Sequence, residues 1–123
     1  MPTPPAETLN KLDSEKNIWV ASVRPDSMPH LVPVWFAWYA GKLHLCIDPT
    51  SVKAKNFFNN DRVALALEDG SNPLICEGQV SRMEESWPEE VIQIFKRKYD
   101  WDITSDTQYT QLVSITPTKW LHW

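Results

Sequence analysis

The sequence predicts a mainly β protein with short helices, an antiparallel barrel of about six strands in one domain spanning residues 1–123. Three observations carry that expectation. Short strand-like runs follow one another in the order β-β-β-α-β-β-α-β with hairpin-length links, which suits an antiparallel barrel rather than a doubly wound sheet. A length of 123 residues suits one hydrophobic core. The run His30–Tyr39 is apolar on both faces: Leu31, Pro33, Trp35, Ala37 and Tyr39 alternate with Val32, Val34, Phe36 and Trp38. A barrel strand with water outside should alternate apolar and polar, so something covers this one, and a second subunit is the simplest cover. A homodimer is therefore expected.

The elements follow in order. Residues 5–15 read as a short helix, with Leu9 and Leu12 at helical spacing. Residues 18–23 (Ile-Trp-Val-Ala-Ser-Val) read as a strand, and Arg24 to Pro29 as a turn, where proline sets the corner and Asp26 and Ser27 favour it. The strand His30–Tyr39 comes next; Pro33 removes one ladder donor, which marks an edge or an interruption there. Ala40-Gly41-Lys42 turns the chain into a third strand, 43–47. A helix over about 51–60 ends at Asn59-Asn60-Asp61, where asparagine tolerates a left-handed residue. Strands over 62–68 and 74–82 flank the loop Asp69–Pro73. Ser86-Trp87-Pro88-Glu89 has capping-box spacing and opens a helix to about Lys98, with Val91, Ile94, Phe95 and Lys98 on one stripe. Residues 109–115 form the sixth strand, and the tail 116–123 continues it after a kink.

Composition narrows the function. Net charge is −4, which argues against nucleic acid as the main partner, because phosphate backbones require a basic face. No apolar run approaches the roughly 20 residues of a membrane-spanning helix. The start Met1 to Glu7 lacks the pattern of a signal peptide, so a cytoplasmic location is expected. The two cysteines, Cys46 and Cys76, both lie in apolar runs and read as buried thiols. Seven tryptophans exceed what a small barrel interior holds, which places some at a subunit contact. The histidines His30, His44 and His122 have no zinc-like spacing, and no metal site is expected.

One helix start carries unusual charges. After Asp48-Pro49, Thr50 or Ser51 reads as an N-cap, and Lys53 and Lys55 follow in the opening turns with no acid beside them. A helix N-terminus is already partly positive, so lysines there are unfavourable unless an anion joins them. Free amides, a hydroxyl and ammonium groups together suit a phosphate.

Three segments, PHLVPVWFAW, GKLHLCIDPTSVKAKNFFNNDRVALALED and LVSITPTKW, together resemble the FMN-binding split-barrel superfamily related to pyridoxamine 5′-phosphate oxidase, which includes deazaflavin-dependent members. The likeness covers roughly residues 15–83 and 109–120. It implies a split barrel in which Ser51 and Lys53 bind the flavin phosphate, with Lys55 as a second cation. It also implies that Val32, Pro33, Val34 and Trp35 run along the isoalloxazine ring and that Cys46 and Ile47 approach it. The chain departs from the oxidases proper: His30 replaces an arginine, Trp35 a lysine, Val52 an arginine of the phosphate segment and Pro73 a flavin-contacting glutamine. The resemblance thus implies an FMN-dependent oxidoreductase other than a true pyridoxamine phosphate oxidase. F420 is the alternative cofactor, haem a less favoured one, and a non-catalytic flavin or haem carrier the alternative role. No general acid or base stands out in the sequence, and His30 is only a weak candidate for proton transfer.

Overall fold

The computed structural model describes residues 1–123. A single 3-10 turn (Ala6–Thr8) leads into α1 (Leu9–Ser14). Then come β1 (Ile18–Val23), β2 (Pro29–Val34), β3 (Ala37–Tyr39), β4 (Lys42–Ile47), α2 (Val52–Asn59), β5 (Arg62–Leu67), β6 (Leu74–Arg82), α3 (Glu89–Tyr99) and β7 (Gln111–His122). All pairings are antiparallel, in one sheet of order β2-β1-β5-β6-β7-β4-β3. Strands from across this sheet bury Val20, Leu43, Leu45, Leu65, Cys76 and Ile115 in one cluster, so the sheet curls around a common interior. This is the split barrel, with seven strands rather than six.

The extra strand arises because the run 30–39 breaks at Trp35–Phe36. Its first half, β2, lies on one edge of the sheet and its second half, β3, on the other. Pro33 does not cause the break: it pairs with Trp19 within β2, an edge strand where a missing N–H is tolerated. The break is held by distant groups. The buried Phe36 amide donates to the Tyr99 hydroxyl at 3.0 Å, and the Phe36 carbonyl accepts from Tyr99 Oη and Lys98 Nζ, each at 3.2 Å. The backbone polar groups that a continuous strand would pair are thus satisfied by α3.

A second cluster lies on the outer face of β3 and β4, where α3 and the following loop cover Ala37, Cys46 and Leu112 with Val91, Phe95 and Ile103. α3 begins at Glu89 after Pro88, with no side-chain cap, so the Ser86 capping box does not form. Pro88 is extended (φ −58°, ψ 130°), and the Trp87 indole donates to the Met83 carbonyl at 3.1 Å, which fixes this segment outside the helix. The C-cap of α2, Asn60, is extended rather than left-handed. Leu9 is exposed, and only Leu12 anchors α1. The expected kink in the last strand is a bulge opposite Glu77 and Gly78, where Pro117 needs no ladder donor. Both cysteines are free and buried, and no tryptophan is among the buried residues. No helix is long and apolar enough to cross a membrane.

Candidate functional site

Where the chain crosses from β2 to β3, it forms one wall of a cavity of about 650 Å³. Asn17, Pro33, Val34, Trp35, Cys46, Ile47, Lys53, Tyr99, Asp100, Trp101, Asp106 and Tyr109 line it. Of the residues expected at a site, Pro33, Val34, Trp35, Cys46, Ile47 and Lys53 come together here. Val32 packs against the main core instead, and Thr50, Ser51 and Lys55 lie outside the lining. His30 is also outside it.

Ser51 is the N-cap of α2: its Oγ accepts from the Ala54 amide at 3.3 Å and donates to the Asp48 carbonyl at 2.7 Å. Thr50 instead turns its hydroxyl onto Asp48 Oδ1 at 2.7 Å, and its amide donates to the same oxygen at 2.8 Å. These bonds, hydroxyl first, hold the Asp48 carboxyl below its ordinary range. Asp48 is the acid that the charge pattern of the helix start overlooked, although an aspartate two residues before a threonine is a readable Asx-turn signal.

Lys53 is half-buried, has no salt-bridge partner, and has its pKa lowered by burial, with Asp48 partly offsetting the shift. The neighbouring amides of Val52 and Lys53 have no backbone partner, as expected at a helix start. Across from α2 on β2, His30 has a buried Nδ1 with no hydrogen bond, and its pKa is lowered by burial and then by Arg24 and Lys53. Lys53 and Arg24 thus both act on His30, and neither forms a salt bridge. Lys55 is exposed.

The opposite wall was not foreseen. Trp35, still 47% exposed, stacks on Tyr99 with centroids 4.5 Å apart and planes 5° apart. Trp101 meets Trp35 edge-on at 5.9 Å, and Tyr109 meets Trp101 likewise at 5.9 Å. Asp106 organises this wall, accepting from the Trp101 indole at 3.0 Å and from the amides of Gln108 at 2.8 Å and Tyr109 at 2.7 Å. The readable signal was the aromatic density of Tyr99-Asp100-Trp101 and Tyr109 beside a helix end. Trp38, by contrast, packs edge-on against Trp120, away from the cavity.

Few lining groups are poised for proton transfer. Burial, and then Asp106, push the Cys46 thiol up to about 12, and its Sγ lies 3.2 Å from the Tyr109 carbonyl. Burial pushes the Tyr99 phenol up to about 12, and its hydroxyl is committed to backbone groups of Phe36 and Lys16. What the cavity offers is apolar and aromatic walls, one ammonium without a salt bridge at Lys53, and the acids Asp100 and Asp106.

A curled antiparallel sheet with a cavity at its split, walled by the β2 crossover and the start of α2, defines a split-barrel domain. The chain belongs to the pyridoxamine 5′-phosphate oxidase family, whose model matches residues 5–123. Among solved structures, a conserved hypothetical protein from Mycobacterium tuberculosis is 25% identical, with a TM-score of 0.80 over 100% of this chain and 86% of that one. An F420 reductase is 24% identical, with a TM-score of 0.72 over 97% of this chain and 98% of that one. The haem storage protein HutZ from Vibrio cholerae is 15% identical, with a TM-score of 0.79 over 95% and 93% of the two chains. The last two likenesses concern the fold. No curated protein matches the sequence.

Proposed function

We propose that the chain is a flavin-binding oxidoreductase that takes FMN into this cavity. The observation that carries the reading is Lys53, a half-buried ammonium without an acidic partner at the edge of an apolar, aromatic cavity. The residues fit a phosphorylated flavin. The volume lies within the range of small-ligand sites, the free amides of α2 suit an anion, and β2 offers a wall to a ring. In this role Lys53 and the free amides of α2, the helix that Ser51 caps, hold the phosphate, while Pro33, Val34, Cys46 and Ile47 exclude water from the ring. A bound flavin supplies the electron-accepting chemistry, and the protein supplies position and desolvation. The exposed apolar residues Leu31 and Pro33 along the β2 edge support a homodimer. A cytoplasmic setting belongs to the same reading.

F420 is the second reading, suggested by the structural neighbour named an F420 reductase. Haem is less well supported, because no histidine lines the cavity. The absorbance spectrum of the purified protein, alone and after adding each cofactor, tests the proposal. Flavin bands that bleach with a nicotinamide reductant are expected. A protein that takes up neither FMN nor F420, or that shows only a Soret band, would overturn it.

A further inference from the structure

The cavity is chemically two-ended. Asp48 is the acid that acts on Lys53, and Lys53 forms no ion pair with Asp100 or Asp106. Around the acids stand Trp35, Tyr99, Trp101 and Tyr109. Asp106 spends its carboxylate on Trp101, Gln108 and Tyr109. Asp100 does not: only its amide is bonded, to the Lys96 carbonyl at 2.9 Å, and its carboxylate has neither hydrogen bond nor salt bridge. The ring of Tyr99 already has Lys16 and Lys98 ammonium groups at 5.4 Å and Trp101 already meets Trp35, Phe95 and Tyr109, so the exposed face of Trp35, opposite Tyr99, is the one left for a ligand. Aromatic faces present negative potential, and an unpaired carboxylate adds to it.

We propose that this end of the cavity receives a planar heteroaromatic cation as substrate, stacked on the face of Trp35 that Tyr99 leaves free and paired with Asp100. The proposal rests on the cofactor reading in taking the Lys53 end as filled by the flavin phosphate, which leaves the aromatic end to the substrate. Three probes of one ring skeleton test it: N-methylquinolinium, quinoline and quinaldate, which are cationic, neutral and anionic near neutral pH. Equilibrium dialysis is run with protein alone and with protein saturated with FMN. The cation should bind about tenfold more tightly than the neutral ring, and the anion most weakly.

Asp100→Asn keeps a residue that tolerates the left-handed backbone and removes the charge; it should erase most of the cation's advantage. Asp102→Asn, outside the lining, should leave that advantage intact. Trp35→Leu should weaken all three probes. Equal binding of cation and neutral ring, tighter binding of quinaldate, or an Asp100→Asn protein with undiminished preference would overturn the proposal. A parallel FMN titration keeps the two readings apart. FMN uptake without cation preference refutes this inference alone, whereas cation preference without flavin uptake refutes the flavin reading alone.

Discussion

Tyr99→Phe removes one oxygen from the residue that holds the strand crossover. The hydroxyl accepts from the Phe36 amide at 3.0 Å and lies 2.8 Å from the Lys16 carbonyl, while the ring stacks on Trp35. Phe36 is fully buried, so its amide is left without a partner, a loss of roughly 1–3 kcal/mol. The Phe36 carbonyl keeps Lys98 Nζ at 3.2 Å, which limits the damage. A net destabilisation of about 2 kcal/mol is expected, which for a chain of 123 residues corresponds to a fall in Tm of about 8 °C. Urea unfolding followed by tryptophan fluorescence should show a lower midpoint at unchanged slope. Tyr99→Leu should lose about 1 kcal/mol more, because the stacked ring goes as well. A Tyr99→Phe protein within about 0.5 kcal/mol of the parent would refute the clamp and leave the break at Trp35–Phe36 without its physical cause.

Three further outcomes are expected. Ala40 and Gly41 form the two-residue turn between β3 and β4 with φ of 53° and 76°, so Ala40→Gly should stabilise the fold by about 1 kcal/mol in thermal unfolding. Gly78 stands at the bulge, where an added Cβ would lie 2.7 Å from the Thr116 carbonyl oxygen; Gly78→Ala should lower the urea midpoint, at a cost of about 1–3 kcal/mol. Burial, and then Lys16, depress Lys98 from 10.5 to about 8, so above pH 8 the unfolded chain binds the extra proton and stability rises with pH. The slope from Lys98 should reach at most about 1 kcal/mol per pH unit, and it should vanish in Lys98→Met when unfolding midpoints are compared from pH 7 to 9. Cys46 and Cys76, both pushed up to about 12 from 9.0, act in the opposite sense as they ionise in the unfolded chain, so the Lys98 slope is read as the difference between the parent and Lys98→Met.

Local rules made much of this fold legible. The alternation in β5 and β6, the Ser51 cap and the turn at Ala40-Gly41 are each decided by neighbours within a few residues. The break in the run 30–39 was not legible, because an apolar stretch does not reveal that a tyrosine 63 positions away will satisfy its backbone. The start of α3 was misplaced because a capping-box spacing competes with the extended backbone at Pro88. At the site, Lys53 and the β2 wall could be read from charge placement and resemblance together. The aromatic wall could not, since Tyr99, Trp101 and Tyr109 converge only through the left-handed turn at Asp100 and the Asp106 hydrogen bonds.

The central claim, that Lys53 marks a phosphate-bearing flavin site, is tested most directly by titrating FMN and riboflavin in parallel and reading the quenching of flavin fluorescence. The two ligands share a ring and differ in the phosphate. FMN should bind at least about tenfold more tightly than riboflavin, and Lys53→Met should abolish that difference while leaving riboflavin affinity in place. Equal affinities for the two ligands, or an FMN preference that survives Lys53→Met, would contradict the assignment.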